Sequence, residues 1–594
     1  MSVTSKVRGI GFLVDESSPD EIVIPDDMGA DERLLMRSIE EFAAQEVAPH
    51  LERIEQRDEE IILPLFRKAA DLGIFMAEVP EEHGGLGLNV LAIAGMSEKR
   101  SAFGGLASTV FAHQGIGTLP LINFGTEAQR SRYLQRCMDG RIMAAFALTE
   151  PGSGSDAMNI RTTAVLNDRG THYVVNGAKQ WITNAGWADL FILFAKVDGT
   201  KFTAFLLDRE TPGLTVGGHE RLLGLHGSSV CALTLEDVAI PVENLLGEIG
   251  KGHRVALCTL NLGRMKMAAN CAGTSKKALA TACAYAAERQ QFGRPIASFG
   301  LIQAKLSEMA ARAYAAESVA YRTAGLVYTA IGALDDTARD SLDAKLATLA
   351  EFSAECAMAK VFGTETYHGL ADEALQIFGG NGYSEDYPVA RMYRDSRITR
   401  IYEGTSEICR LSIGKAMLKR LDRGSLELPR PILPLRLEAS GGDPARAAAL
   451  RGPVAGLRAI CLDLLSQAVA RFGTDRLLDD DRQGYLGGIA TVAIELYAAE
   501  STALRVRRLE ESRPGADTSL AAALARRAFE RAAGRVRQEA AALLSGLHTG
   551  DDLREALAAV DRRLPLPADR IALDGRIARA LVERGGALPD FAAA

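Results

Sequence analysis

"FALTEPGSGSDA", residues 146–157, marks the place where the pattern of the chain changes, and its two flanks decide the fold. On the N-terminal side the pattern is helical. Within residues 31–75, "DERLLMRSIEEFAAQEVAPHLERIEQRDE" sets Leu34, Leu35, Ser38, Ile39, Phe42 and Val47 on one face at a period of about 3.6. Pro49 is placed to interrupt or kink that run. After a glycine-rich turn, "PEEHGGLGLN" (residues 80–89), helical pattern resumes to about Arg141. On the C-terminal side, from Ala145 to Glu248, the runs are short, β-branched and aromatic: "THYVVNG", "LFILFAKV", "FTAFLLD" and "CALTLEDVAIP", with turn residues between them. That spacing predicts a β-barrel or sandwich.

Helical pattern returns from Asn261 to about Arg423. There "LIQAKLSEMAARAYAAESVAYRTAGLVYTA" places Leu301, Ile302, Lys305, Leu306, Met309, Ala313, Ala316 and Ala320 on one face. Small-residue faces of this kind suit close helix packing in a bundle. The expected class is mainly α with a central β-domain. The segments are 1–30 (N-terminal segment), 31–144 (helical), 145–255 (β-barrel), 256–423 (helical bundle), 424–449 (a Pro/Gly/Ser-rich linker) and 450–594 (Ala-, Leu- and Arg-rich helix). One echo stands out. "YAAESVAYR" (residues 314–322) recurs as "YAAESTALR" (residues 497–505), with a Phe-Gly upstream of each. Either Ala-rich helices coincide by chance, or residues 450–594 are a degenerate copy of part of the bundle.

Composition narrows the function classes. With 47% hydrophobic and 24% charged residues the chain is globular rather than disordered. A net charge of −8 without a block of like charge gives no footprint for nucleic acid. Eight scattered cysteines form no metal-binding pairs and point to a reducing compartment. No signal segment is evident, and no stretch is expected to span a bilayer, so a soluble cytoplasmic protein is expected.

Five short motifs carry chemistry, each with an ordinary reading beside it. In "FALTEPGSGSDA", Gly152 and Gly154 allow backbone N–H groups close to a ligand, and Thr149, Ser153 and Ser155 offer hydroxyls; it also reads as a plain turn. In "QWITNAG" (residues 180–186), Trp181 beside Thr183 can stack on a planar ring and donate to it, or be a buried strand residue. In "AERQQFGRPI" (residues 287–296), Arg289 and Gln291 reach toward phosphate or solvate a helix end. In "LQIFGGNGY" (residues 375–383), Gly379, Gly380 and Gly382 resemble a phosphate cradle without the Rossmann context. In "RITRIYEGTSEICR" (residues 397–410), Glu403 is either an exposed acid near a helix start or a base beside an apolar pocket.

The order of these five along one chain resembles the acyl-CoA dehydrogenase family, from about Asp31 to Met417. "LNLGRMKMA" (residues 260–268) and the C-terminal extension are similar to its very-long-chain and long-chain types. The resemblance implies a helical domain, a β-barrel and a four-helix bundle that bind FAD and oxidise medium- to long-chain acyl-CoA to trans-2-enoyl-CoA, the first step of fatty acid β-oxidation. Electrons pass to an electron-transfer flavoprotein, and the enzyme is a homodimer. By the resemblance Glu403 is the catalytic base. Phe146, Leu148, Thr149, Gly154 and Ser155 line flavin and pantetheine, and Trp181 and Thr183 neighbour the flavin ring. Arg289, Gln291, Phe292, Gln376, Gly379 and Gly380 meet the FAD of the partner subunit, and Thr405 and Glu407 contact FAD. Arg264 lies near the CoA end, and Tyr402 and Gly404 shape the acyl pocket. Some members carry the base near Arg264, but Gly263 occupies that position here. Phe111 stands where a glycine keeps the acyl tunnel open in the subgroup, and His226 and Val230 replace Arg or Lys and Thr. An acyl-CoA oxidase, another flavin enzyme on this fold and a non-catalytic assembly factor are the alternatives. The helix at residues 519–544, with Arg526, Arg527, Arg531, Arg535 and Arg537, reads as a solvated bundle face or as a basic face for peripheral membrane contact.

Overall fold

A computed structural model describes residues 8–428, 447–565 and 569–591, so most of the expected linker, residues 429–446, lies outside the described residues, as do residues 1–7. The chain forms two compact units. Among the described residues, one comprises 29–266 with 340–350, and the other 8–28, 267–339, 351–428, 447–565 and 569–591.

The first unit starts with helices whose ends follow from local chemistry. α1 (Ala30–Phe42) opens after Gly29, whose N–H donates to Glu32 at 2.7 Å. α2 (Glu59–Asp71) is capped by Asp58, α3 (Val90–Lys99) by Asn89 and α4 (Glu127–Met138) by Thr126, each side chain accepting from a backbone N–H of the first turn. Pro49 does not stop the helical path. The backbone passes from α1 through a wide turn (Ala43–Val47) and a tight one (Ala48–His50) into a short helix, Leu51–Glu55.

Eight strands follow: β1 (Ala144–Ala147), β2 (Thr163–Leu166), β3 (His172–Thr183), β4 (Leu190–Val197), β5 (Lys201–Asp208), β6 (Leu214–His219), β7 (Val230–Pro241) and β8 (Leu245–Leu246). They form one mixed sheet in the order β6-β7-β3-β2-β4-β5-β8, with β1 paired in parallel to β4. One face encloses its own core of Tyr173, Val175, Phe191, Phe205, Leu233 and Leu235. The other face packs Ile192, Phe194 and Leu206 against Tyr133, Leu134 and Leu121 of the helical segment. Shifts of register between β3 and β7, at Val175/Gly177 and Lys179/Ile182, mark bulges that re-aim the end of β3.

α5 (Gly252–Glu288) begins in the first unit, and its later turns belong to the second. The second unit continues with α6 (Gly300–Gly332), α7 (Ser353–Phe378), α8 (Pro388–Thr399) and α9 (Ser406–Asp422). The extension adds α10 (Arg451–Phe472), α11 (Gln483–Ser512), α12 (Ser519–Leu547), α13 (Gly550–Arg563) and α14 (Arg570–Glu583). By length and composition α10 is apolar enough to cross a bilayer, against the expectation that no stretch is. Half of that window is buried, and Leu457, Ile460, Leu464 and Leu465 lie in the core.

The two sequence echoes meet each other on α6 and α11. Arg505 lies over the Tyr314 ring at 4.3 Å and pairs with Glu317 at 2.6 Å. Reciprocally, Arg322 lies over the Tyr497 ring at 4.7 Å and pairs with Glu500 at 2.8 Å. All four charged groups are buried, so each pair must compensate the desolvation of its partners. The arginines of α12 are likewise engaged within the chain. Arg527 pairs with Asp574 at 2.9 Å, Arg531 with Glu495 at 2.8 Å, Arg537 with Asp561 at 3.1 Å, and Arg526 and Arg535 with acids one turn on.

Residues 8–28 run as a strap over this unit. The Gly9 N–H donates to Glu351 at 3.0 Å and the Ile10 N–H to Glu355. Arg458 donates to the Phe12 carbonyl at 2.8 Å, and Arg322 to the Ser17 hydroxyl at 2.8 Å. Burial raises the Glu355 carboxyl to about 7, against the Ile10 amide and the more distant Arg420 and Arg322 charges. A folded value above the unfolded one means that stability from this group is present below the ordinary Glu value and is lost as pH rises through 7. Glu355→Gln, neutral at every pH, is therefore expected to match wild type near pH 4 and to exceed it at pH 8 by on the order of 3 kcal/mol. Chemical denaturation across that range checks it, and a constant difference would exclude Glu355 as the titrating group.

Candidate active site

The first unit holds the glycine-serine loop that follows β1. Its anchor is Glu150, whose carboxylate accepts from the N–H of Arg161 at 2.6 Å, from the N–H of Thr162 at 3.1 Å and from Lys179 Nζ at 2.7 Å. Lys179 also donates to the Leu148 carbonyl at 3.3 Å, and the Gln180 N–H to the Thr149 carbonyl at 2.9 Å. Both charged side chains are buried. Burial lowers the Lys179 ammonium to about 8, opposed by Glu150. Burial acts against the Glu150 carboxylate too, but the charge of Lys179 and the Arg161 amide hold it below its usual range. The pair therefore staples the loop to β3.

With its root fixed, the loop presents an open outer surface. A Cβ on Gly152 or Gly154 would meet nothing within 4 Å, and Gly154 and Ser155 are exposed while Ser153 is buried. At the bulge of β3, Trp181 takes a left-handed backbone, φ 61°, and remains 50% exposed. A tryptophan at a strained position with half of its surface in the open is not serving the core. Thr183, at the end of β3, is half-buried. The next residue, Asn184, has φ 70° and is buried, with its amide donating to the Thr109 carbonyl at 2.9 Å. Leu148 is buried and Phe146 half-buried within the core, the Phe146 ring 5.0 Å from Phe194. Their side chains serve packing in this structure. Arg264, on α5, is buried and reaches Asn261 at 3.4 Å. Phe111 lies against Gly115, where a Cβ would come 3.1 Å from its ring. His226 meets the Leu222 carbonyl at 3.0 Å and lies 3.7 Å from Glu55; Val230 is the first residue of β7, buried.

The second unit holds the acid. Glu403 lies on the corner between α8 and α9, in a left-handed conformation, φ 57°, followed by Gly404 at φ 89°. Three contacts fix this corner. The Ser406 N–H donates to the Arg400 carbonyl at 3.0 Å. The buried Lys360 ammonium, from α7, donates to the Gly404 carbonyl at 2.7 Å. The Thr405 hydroxyl caps α9 by accepting from the Ile408 N–H at 3.2 Å. Tyr402 is 38% exposed beside the corner. Glu407, in the first turn of α9, is held below the usual carboxylate range by its own backbone N–H and by Thr405, against partial burial.

A separate exposed surface of the same unit gathers the remaining residues. The Tyr285 ring stacks on Phe378 at 3.8 Å, and Asn381 donates to the Tyr285 hydroxyl at 3.0 Å. These contacts set the end of α5, with Arg289, Gln291 and Phe292, beside the end of α7, with Gln376, Gly379 and Gly380. Phe292 is 92% exposed at φ 52°. Three groups escaped the sequence reading: the Glu150–Lys179 staple, Lys360, and Arg410, which forks onto Glu365 at 2.8 and 2.9 Å. A lysine inside the apolar run "CAMAKVFG" was the one local signal; the others pair across long stretches of chain.

Comparison with known proteins identifies the family. The chain matches the acyl-CoA dehydrogenase N-terminal domain over residues 29–141, the middle domain over 145–238, and C-terminal domains of acyl-CoA dehydrogenase over 250–418 and 457–562. A probable acyl-CoA dehydrogenase of Bacillus subtilis is 40% identical over 563 residues, 93% of each chain. The human very long-chain specific acyl-CoA dehydrogenase of mitochondria is 40% identical over 369 residues, 60% of this chain and 52% of that one. An acyl-CoA dehydrogenase from Bacillus anthracis, solved in complex with FAD, superposes with a TM-score of 0.92 at 40% identity, covering 98% of this chain and 99% of its own. The match therefore includes the extension, and this chain belongs to the acyl-CoA dehydrogenase family.

Proposed function

We propose that the chain is an FAD-dependent dehydrogenase of medium- to long-chain fatty acyl-CoA, with Glu403 as the base that removes the α-proton. The observation that carries the assignment is the Glu403 corner, where the backbone of an acidic residue is held in a left-handed conformation beside a cap and a buried ammonium. Strain retained at such a position is the mark of a functional constraint. The residues of the first unit fit a flavin. Trp181 offers an aromatic face, Thr183 a hydroxyl at the end of β3, and the open glycines of the stapled loop offer backbone N–H groups. The further cofactor contacts we assign to Arg289, Gln291, Phe292, Gln376, Gly379 and Gly380 of the partner subunit in a homodimer, and to Thr405 and Glu407. Bound FAD supplies the acceptor for the β-hydride.

The chain's own residues must solve an acidity problem. The α-proton of a thioester is too weak an acid for a carboxylate in water. The Glu403 N–H, fixed by the corner, donates to the thioester carbonyl and stabilises the charge that develops there. The apolar acyl chain expels water from beside Glu403 and raises its pKa toward that of the substrate. Tyr402 walls the pocket, and Gly404 permits the tight turn that aims the acid. Arg264 is assigned to the CoA end and Phe111 to the acyl tunnel. Electrons leave to an electron-transfer flavoprotein in the cytoplasm.

Three outcomes test this reading. Glu403→Gln is expected to retain its yellow cofactor and to lose flavin bleaching by palmitoyl-CoA by at least about 10³-fold in stopped flow; bleaching at the normal rate would require another base. Titration with acyl-CoAs from short to very long should show its optimum at medium to long chains, and Phe111→Ala should move that optimum to longer ones. An unchanged profile would remove Phe111 from the tunnel. Reduced enzyme should reoxidise slowly in air and rapidly with an electron-transfer flavoprotein, whereas rapid reaction with oxygen would make it an oxidase.

A further inference from the structure

The helix that begins at the catalytic corner is gripped from the C-terminal extension. One turn into α9, Arg410 makes three well-formed bonds. Nη1 and Nη2 fork onto the Glu365 carboxylate of α7 at 2.8 and 2.9 Å, and Nε donates to the Thr491 hydroxyl of α11 at 2.9 Å. The Thr491 hydroxyl donates its own proton to the Gly487 carbonyl at 2.9 Å, so its lone pairs are left to accept from Arg410. Glu365 is fixed in turn, since Arg312 of α6 donates to its main-chain carbonyl at 2.8 Å. Burial opposes ionisation of Glu365, but the hydrogen bonds and charge of Arg410 hold it below its usual range. One turn further along α9, Gly414 lies so close to α11 that a Cβ would come 2.3 Å from Leu486. The guanidinium is planar, so a fork to one helix and an Nε bond to another leave α9 a single rotation about its axis. The same rotation places Thr405, Gly404 and Glu403 at its N-terminus.

We propose that Thr491 of the extension is a positioning residue for the catalytic base, acting through Arg410 and Glu365 on the rotation of α9. The proposal rests on the reading of Glu403 as the base. It assigns to the extension a part in catalysis, beyond packing: α11 supplies a bond that α7 alone does not. A change at Thr491 leaves the acyl-CoA contacts we assign untouched, so it acts on the rate of proton abstraction rather than on substrate affinity.

The test compares holoenzyme carrying Thr491→Val with Thr491→Ser, which keeps the hydroxyl, and with wild type. Anaerobic flavin reduction by palmitoyl-CoA, its pH profile, flavin content and amide hydrogen exchange over residues 404–410 are measured. Thr491→Val is expected to slow reduction about tenfold to a hundredfold, as a misplaced catalytic group does. It should leave flavin content and the acyl-CoA KM near wild type, shift the pH profile, and speed exchange over residues 404–410 but not in α10. Thr491→Ser should restore all of these. Wild-type rate and exchange in Thr491→Val would overturn the proposal, as would a loss that Thr491→Ser does not restore. If Thr491→Val does not fold, Thr491→Ala makes the same comparison with less bulk. A wild-type flavin that acyl-CoA does not bleach would instead defeat the reading of the enzyme itself.

Discussion

The left-handed backbone of Glu403 is the constraint on which the bundle's arrangement turns. A non-glycine residue in that region costs about 1–2 kcal/mol and persists only where its surroundings over-determine it. Here the surroundings are two helices that would otherwise be free to roll. α8 ends at the corner and α9 starts from it, capped by Thr405. α7 lies under both, sending Lys360 to the Gly404 carbonyl and Glu365 to Arg410. A single helix thus fixes the turn at its peptide and again one helical turn later. An ammonium with no exposed surface is expensive to bury, and its bond to a carbonyl at 2.7 Å is part of what makes it tolerable.

The same logic extends through the interior of the second unit. The Arg322–Glu500 and Arg505–Glu317 pairs face each other across α6 and α11, and each arginine also covers a tyrosine ring. Buried pairs add little net stability compared with apolar packing, but removal of one member leaves a stranded charge. Such pairs therefore select one register of the two helices among several that apolar ridges would allow. In the first unit the Glu150–Lys179 staple plays the corresponding part for the glycine-serine loop, which has few apolar residues of its own to hold it.

The layout of helix, strand and helix was legible because the hydrophobic period changes at both ends of the β segment, and pattern of that kind is local. The corner at Glu403 was legible for a similar reason, since an aromatic, an acid and a glycine in succession describe a turn whatever packs around it; the role of the acid came from the family resemblance alone. The bonds that hold the corner were not. Arg410 and Thr491 are 81 residues apart, and Glu150 and Lys179 are 29 apart, with nothing local to couple them. The arginines of α12 show the same limit. Read alone, they form a basic stripe; in the fold Arg527 is 1% exposed and meets Asp574, on a helix whose acids gave no sign of it. Phe146 and Leu148, which the resemblance sets along the flavin, turn their side chains into the core beside Phe194.

The strap of residues 8–28 has a consequence for the order in which the chain matures. Several of its binding partners come late in the chain: Tyr497 meets the ring of Phe12, Arg508 bonds the Pro19 carbonyl, and the Phe591 N–H donates to Asp26. During translation residues 8–28 therefore emerge long before these late partners exist. Residues 29–266, by contrast, form a compact unit together with only the short piece 340–350. Residues 29–266 can therefore settle before residues 8–28 find Tyr497, Arg508 and Phe591 to close upon.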